Sequence, residues 1–552
     1  MKRDNPLVSQ SLQTGDSNRL LLLLPIFIIL VIAFIVRLHG VNYGLPYMYD
    51  ADEHIYVENC LRMIAQATIY PNYYATPSQT TIYINIINYL SIFAFGTLTG
   101  EYQSIQGFVQ QYQHDPTIFF LSARIVILTF DVMSVFLVYL IGQHLFNRKV
   151  GLVAAALLAV VPIHVEVSRV IRPDIQMTFF VLLVFWFCLK IIDRQTYRNY
   201  ILAGVALGLA LMSKYPGAVA LSLIMGTHFI VTYKDLFNIR NHSKLIISGV
   251  GCLLGMFIAA PTFFSNLHYA YASFRGQNDQ DLPSAVGNGI LENVVYYINL
   301  LITNDLAIVG FVLLLLGAFL LIRSRKLINL MLLTFPIVYL VAISAVSLHY
   351  NRYMLPSLPF FVIIVAYAFI TITTFITQKL SQYPALIVNG IFFVALLFPL
   401  ASTVITRGNE LAGPDTRTVA GQWMLENLPP NSNILMEFYS PQLPFGAFNY
   451  YGGLWSGERS LLLLTPEEFK TDFVIARNIT GRIPTEQILN GDIDYVVITE
   501  FYERYLAEAD LYQDQIDNYE TLMENGELVY EIRPISGQQS GPPISIYQLT
   551  NK

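Results

Sequence analysis

Eleven apolar runs, at about 20–36, 119–146, 150–167, 175–192, 200–213, 216–233, 245–262, 304–322, 327–347, 354–376 and 384–404, succeed one another along the chain. A helix needs ~20 mainly apolar residues to cross the hydrocarbon core of a bilayer. There every backbone N–H and C=O must be paired within the segment, so an open sheet or loop is excluded. A chain patterned this way reads as a polytopic α-helical membrane protein. Composition agrees: 13% of the 552 residues are charged, about half of the ~25% typical of soluble domains. Two runs, 200–213 and 216–233, are short and meet at Lys214-Tyr215-Pro216, a break within the apolar region. The first run follows the polar stretch MKRDNPLVSQSLQTGDSN and carries no small-residue cleavage site. It is expected to be a retained first span.

Lysine and arginine positions set the expected orientation. Lys2/Arg3/Arg19, Arg148/Lys149, Lys190/Arg194/Arg198, Lys234/Arg240/Lys244, Arg323/Arg325/Lys326 and Lys379 fall in every second loop, which the positive-inside rule assigns to the cytoplasm. Most acidic residues of this region fall on the opposite side, among them Asp50, Asp52, Glu53, Glu58, Glu101, Asp115, Glu166, Asp174, Asp279, Asp281 and Glu292. The N-terminus is then cytoplasmic, and the chain emerges outside the cell membrane after its last span. The first outer loop, 38–118, holds two interrupted apolar segments near 54–66 and 80–98. The second, with Asn85 and Asn88 among aromatics, suits a helix lying along the membrane surface; the alternative is that the two segments add a twelfth and a thirteenth crossing.

Character changes after Arg407. From Gly408 onward there are eight Lys/Arg against twenty-one Asp/Glu. The stretch DTRTVAGQWMLENL reads as a helix, ILMEFY and IDYVVITEF as strands, PTEQILNG as a short helix, and LVYEIRP and ISIYQL as closing strands. Residues 1–407 are therefore expected to be the membrane-embedded domain, and 408–552 a small extracytoplasmic α/β domain.

Four outer-face clusters carry the chemistry. Tyr49-Asp50-Ala51-Asp52-Glu53-His54 packs three mutually repelling carboxylates into four positions, an arrangement suited to proton transfer or to a cationic partner. Arg169, Arg172 and Asp174 link two spans, where charges at a membrane boundary are usually functional or paired. Lys214 stands at the broken helix, and Arg352 within His349-Tyr-Asn-Arg-Tyr-Met-Leu-Pro356. A phosphate held at a membrane surface needs such cations, lysine as a point charge and arginine as a bidentate fork. Asp131, inside the second span, reads as a helix-packing partner.

On these residues the sequence resembles the C-type (GT-C) integral-membrane glycosyltransferases, in the branch of glycosyltransferase family 39, the protein O-mannosyltransferases and the lipid A aminoarabinose transferase. The likeness rests on Asp52-Glu53, Arg169…Arg172-Pro-Asp174, Gly204…Gly208…Ser213-Lys214 and Arg352-Tyr353…Pro356, and on Asp415-Thr-Arg417…Trp423 and Gly541-Pro…Ile546-Tyr547 in the tail. It implies a GT-C fold of about eleven transmembrane helices. It also implies transfer of a sugar, a mannose-type hexose or another, from a polyprenyl-phosphate donor to a protein, lipid or glycan acceptor, with inversion. Asp52, Glu53 and Asp174 would be the catalytic acids. Lys214, Arg352 and Arg172 would hold the donor phosphate, with Asp50, His54 and Arg169 as auxiliaries. Asp50 departs from the pattern as an extra carboxylate two positions early. There are no tandem sugar-binding repeats in the tail. Trp186, Trp423 and Trp455 stand alone, so the Trp-Trp-Asp signature of oligosaccharyltransferase catalytic subunits is missing.

No P-loop, His-Glu-x-x-His or dinucleotide fingerprint is present, and no nucleic-acid partner is expected. His54, His164, His268 and His349 near the outer face would permit a divalent cation, but their spacing specifies no metal site. Asn478-Ile-Thr480 is a glycosylation sequon. The competing reading is a transporter or flippase of lipid-linked sugars. Such proteins commonly show repeated halves with matched broken helices near mid-membrane. No internal repeat is visible here, and the charged constellation sits at one face. A non-catalytic scaffold would leave the acidic triplet and Arg172-Pro-Asp174 without a use.

Overall fold

The computed structural model describes residues 16–550 apart from 72, 75–77, 236–237, 277–288, 347, 380–383, 445, 452–472 and 475–478. Asp279, Asp281, Trp455 and the sequon residue Asn478 lie outside the described residues. The chain starts with α1 (Asp16–Leu38), followed by α2 (Glu53–Ala65), α3 (Gln79–Thr99) and α4 (Ile105–His114). The bundle continues with α5 (Thr117–Leu145), α6 (Arg148–Ala159), α7 (Pro162–Ser168), α8 (Pro173–Asp193) and α9 (Tyr197–Ser213). After a 3₁₀ turn at Tyr215–Ala220 come α10 (Leu221–Thr232), α11 (Ile239–Ala259), α12 (Leu267–Gly276) and α13 (Ile290–Leu300). The membrane part closes with α14 (Ala307–Ser324), α15 (Leu327–Ser344), α16 (Leu358–Lys379) and α17 (Ala385–Ala412).

Among the described residues nine helices are long and apolar enough to cross a membrane, or ten if the bent pair α6–α7 is one span. One of the nine is α3, which the sequence reading lays along the surface. Its contacts support the surface placement. Thr81 bonds Gln176 at the start of α8, Asn88 bonds Ser122, and Tyr89 donates to the Phe119 carbonyl at the start of α5. Farther on, Phe93 packs at a tilt against Phe108 of α4, which packs edge-on against Phe119. Both halves of α3 are thus tied to the same ends of α5 and α8. Its other face presents Ile87, Leu90, Phe95 and Leu98, as an interfacial helix does. Setting α3 aside, and counting the bent pair with the shorter α1 and α9, leaves the eleven traverses that hydropathy indicates.

Small residues set the tightest packing. A Cβ on Gly204 or Gly208 of α9 would overlap the carbonyls of Ser248 or Cys252, and one on Gly251 or Gly255 of α11 those of Ile201 or Val205. The two helices therefore meet backbone to backbone, the close approach that small-xxx-small spacing allows in lipid. Gly204 and Gly208 of the family-like run are packing residues. A buried ion pair fixes the centre. Arg37 at the end of α1 donates to Asp131 of α5 at 2.7 Å, and His164 of α7 bonds the other Asp131 oxygen at 2.8 Å. Asp131 joins three helices, the packing role that the sequence suggests.

The last helix, α17, continues past Arg407 to Ala412 and leads into the tail. There α18 (Thr416–Asn427) is capped by Asp415. The chain continues through β1 (Asn433–Leu435), β2 (Leu443–Pro444), β3 (Asn449–Tyr451), β4 (Phe473–Val474), α19 (Thr485–Leu489) and β5 (Tyr495–Ile498). It ends with α20 (Phe501–Leu506), α21 (Ala509–Glu524), β6 (Gly526–Ile532) and β7 (Ile544–Leu549). Five strands form one sheet in the order β3-β1-β5-β7-β6, with β3, β1 and β5 parallel and β7 antiparallel to both neighbours. Alternation along β5 sends Val496 and Ile498 into a core with Ile516 and Tyr519 of α21. It sends Tyr495 and Val497 into a second core with Ala420 and Met424 of α18. The sheet is covered on both faces.

Candidate active site

The loop after α1 reaches the carboxylates through two devices. Arg124, two turns into α5, is clamped bidentately to Glu53 at 2.8 and 2.6 Å and also donates to the carbonyls of Val41 and Tyr43. Glu53 in turn accepts the backbone N–H of Ile171 at 2.8 Å. The acidic loop and the Arg172 loop are therefore locked together by one buried pair. The second device is the tail. Gln442 exchanges two hydrogen bonds with the backbone of Met48, at 2.7 and 2.9 Å. Arg417, held by Asp415, donates to the Tyr49 carbonyl and stacks 3.9 Å above the Tyr49 ring.

Held from both sides, Asp50 and Asp52 face Arg172. One guanidinium nitrogen binds Asp50 at 2.9 Å and the other binds Asp52 at 2.5 Å, while the Asp52 N–H donates back to Asp50. Beside this pair, Lys214 at the helix break reaches Asp174 in the first turn of α8 at 2.8 Å. Its ammonium also lies 4.7 Å from the Tyr353 ring centre. Arg352 stacks on Tyr350 at 4.2 Å, and its charge acts on both Asp52 and Asp174. Its Nε has no hydrogen-bond partner, and no carboxylate pairs with it among the described residues. Three cations and three carboxylates thus meet, with one guanidinium left for an anion.

Exposure separates the carboxylates. The Asp52 side chain is 43% exposed, against 13% for Asp50 and 2% for Asp174. Burial acts to raise the Asp52 pKa, but Arg172 and Arg352 outweigh it and hold the carboxyl below its usual range. An ordinary aspartate titrates near ~3.9. If Asp52 must be ionised, activity is lost only as pH falls through this lowered value. The acid limb of kcat/KM is therefore expected below about pH 4. It should move upward in Arg352→Ala, which removes one of the charges responsible. A limb near neutral pH in the native protein would show that a different group limits turnover.

The other sequence candidates are dispersed. The sequence groups Glu53 with the catalytic acids, but both its oxygens are taken by Arg124 and Ile171, and it is buried. Arg169 lies away from the cluster, donating to the Val36 carbonyl beneath Gly408. His54 lines a small cavity with Asp50, Arg417, Phe438 and Tyr439, between the acidic loop and the tail. The remaining histidines separate: His164 is on Asp131, His349 on Asn293, and His268 against Tyr269. Among the described residues no three His, Cys, Asp or Glu groups stand together to hold a metal. Sequence reasoning missed Arg124 and gave no role to Tyr353 and Tyr350, which lie against Lys214 and Arg352. The signal for Arg124 was present, since an arginine within an apolar run demands a partner.

Residues 120–264, from α5 through α11, match the family described as dolichyl-phosphate-mannose-protein mannosyltransferase. That segment contributes Arg124, Arg172, Asp174 and Lys214. The chain has the fold of the GT-C glycosyltransferases. Its fold matches ArnT from Cupriavidus metallidurans in the apo state, at 14% identity over 96% of this chain and 98% of that one, with a TM-score of 0.53. The same protein bound to undecaprenyl phosphate gives 13% identity, the same coverage and a TM-score of 0.52. The oligosaccharyltransferase of Archaeoglobus fulgidus, tethered with an acceptor peptide, gives 12% identity over 96% of this chain and 74% of that one, with a TM-score of 0.52. No curated protein matches the chain in sequence.

Proposed function

We propose that this GT-C protein transfers a sugar from a polyprenyl-phosphate carrier to an acceptor hydroxyl, with inversion, on the extracytoplasmic face of the cell membrane. The observation that carries the reading is Arg352, an arginine with no carboxylate partner among the described residues, beside the Asp50/Asp52–Arg172 and Asp174–Lys214 pairs. Its guanidinium matches a phosphate with its fork of N–H donors. Lys214 has donors beyond the one given to Asp174 and can share itself with the same anion. ArnT, which shares the fold, was seen with undecaprenyl phosphate bound.

The exposed Asp52 then takes the part of general base. It accepts the proton of the acceptor hydroxyl as that oxygen bonds to the anomeric carbon. The bond from the anomeric carbon to the phosphate oxygen breaks on the opposite face, and polyprenyl phosphate leaves with its charge on Arg352, Lys214 and Arg172. A single displacement inverts the configuration. Asp50 fixes Arg172, Asp174 fixes Lys214, and Glu53 with Arg124 fixes the loop. The acceptor is a protein, lipid or glycan hydroxyl presented between the acidic loop and the tail.

The cations can be told apart. Losing a charge-assisted hydrogen bond costs ~1.5–3 kcal/mol, so Arg352→Ala should weaken binding of a polyprenyl-phosphate sugar at least about tenfold. Its thermal stability should barely change, because no carboxylate loses a partner. Lys214→Ala should weaken binding similarly and also lower stability, since Asp174 is left buried and unpaired. Native donor affinity in both variants, measured by equilibrium binding, would put the phosphate elsewhere.

A further inference from the structure

Arg352 has no carboxylate partner among the described residues, and its Nε bonds to nothing. A long side chain that must meet a ligand in one orientation loses rotamer freedom on binding unless it is already held. A carboxylate would hold the guanidinium but would also take the charge that a phosphate needs. The loop that carries Arg352 is held instead by neutral groups, two of them on α13.

That loop leaves α15 at Ser344 and reaches the 3₁₀ turn Asn351–Met354, on which Arg352 stands. The last carbonyls of a helix have no partner within it. Asn293, buried on α13, donates to the Ser344 carbonyl at 3.1 Å and to the Val346 carbonyl at 2.9 Å. Both partners only accept, so the amide nitrogen must face them. The Asn293 oxygen is then turned to His349, whose Nδ1 lies 2.8 Å away and carries the proton. One amide ties the loop at three places.

One turn along the same face of α13, Tyr296 completes the support. Its ring lies against the His349 ring, with centres 4.1 Å apart and planes 27° from parallel. Its hydroxyl donates to the Asn351 side-chain oxygen, on the residue before Arg352, and the Arg352 charge acts on it. Burial lowers the His349 pKa against the opposing pull of Glu292 and Glu508, so this imidazole is uncharged at neutral pH. The guanidinium itself stacks on Tyr350. The supports of the loop are thus an amide, an imidazole and a phenol, and none of them neutralises Arg352.

We propose that Asn293, Tyr296 and His349 are positioning residues, a neutral cradle that aims Arg352 at the phosphate of the polyprenyl carrier without competing for its charge. The inference rests on the polyprenyl-phosphate reading above. It gives α13 a part in donor binding through the loop it supports.

The test is a double-mutant cycle read by equilibrium binding of undecaprenyl phosphate. Tyr296→Phe keeps the ring against His349 and removes only the bond to Asn351. Asn351→Ala removes the other end of the same bond. Each should weaken binding about fivefold, the worth of one hydrogen bond. Melting temperatures should stay native, because Asn351 is exposed. In an Arg352→Ala background neither change should weaken binding further, since each acts through that guanidinium. Native affinity in either single variant, an undiminished loss in the Arg352→Ala background, or a marked fall in melting temperature in both variants would overturn the inference alone. If native protein bound no undecaprenyl phosphate, or Arg352→Ala bound it as tightly as native protein, the Arg352 phosphate reading and this inference would fall together.

Discussion

Asp52→Asn should lower turnover by ~10²- to 10⁴-fold while donor binding survives, the usual contribution of a positioned general base. The amide keeps the volume of the carboxylate and can still accept one hydrogen bond from Arg172, but it has no lone pair basic enough to take a hydroxyl proton. Asp50→Asn is expected to be milder. Asp50 is mostly covered and is spent on Arg172 and on the Asp52 N–H, so its loss loosens Arg172 and leaves the base in place. Turnover numbers and donor affinities of the two variants decide the register. An inactive Asp50→Asn beside an active Asp52→Asn would shift the base by two residues. Near-native turnover in both would remove the acidic loop from the chemistry.

The other large effect falls on stability. Glu53→Gln leaves the Arg124 guanidinium, 1% exposed, without its counter-charge. Breaking a buried pair from one side costs ~3–5 kcal/mol, a large part of the whole stability of a typical protein. Glu53→Gln should therefore lower the melting temperature sharply or fail to accumulate. Arg124→Met with Glu53→Met should recover much of the loss, because a buried pair replaced by apolar groups is often near neutral. A Glu53→Gln protein of native stability but without turnover would return Glu53 to the catalytic acids.

Periodicity and charge made the bundle legible. Apolar runs located the helices, alternating basic loops ordered them, and the carboxylates and cations converged on one face. The tail helix at Thr416–Asn427 and the strands at Tyr495–Ile498, Gly526–Ile532 and Ile544–Leu549 were visible as well. The helix Ala509–Glu524 was not, because its apolar positions are few: Tyr512, Ile516, Tyr519 and Leu522 make its buried stripe within an otherwise polar run. Candidate residues were chosen by type and spacing, but spacing carries no information about partners. Asp52 and Glu53 are neighbours in sequence, yet the helix start at Glu53 turns one carboxylate toward Arg172 and the other toward Arg124. Arg169 and Arg172 likewise diverge at the end of α7, one toward α1 and one toward the acids.

The deciding experiment incubates purified protein in lipid nanodiscs with a polyprenyl-phosphate sugar labelled in both sugar and phosphate, alongside membrane-extracted acceptors. Labelled polyprenyl phosphate should be released one for one with transfer of sugar to an acceptor, with inverted anomeric configuration and no turnover of nucleotide sugars. Turnover of a nucleotide sugar without lipid carrier, or movement of the intact lipid-linked sugar across a vesicle membrane with no cleavage, would contradict it.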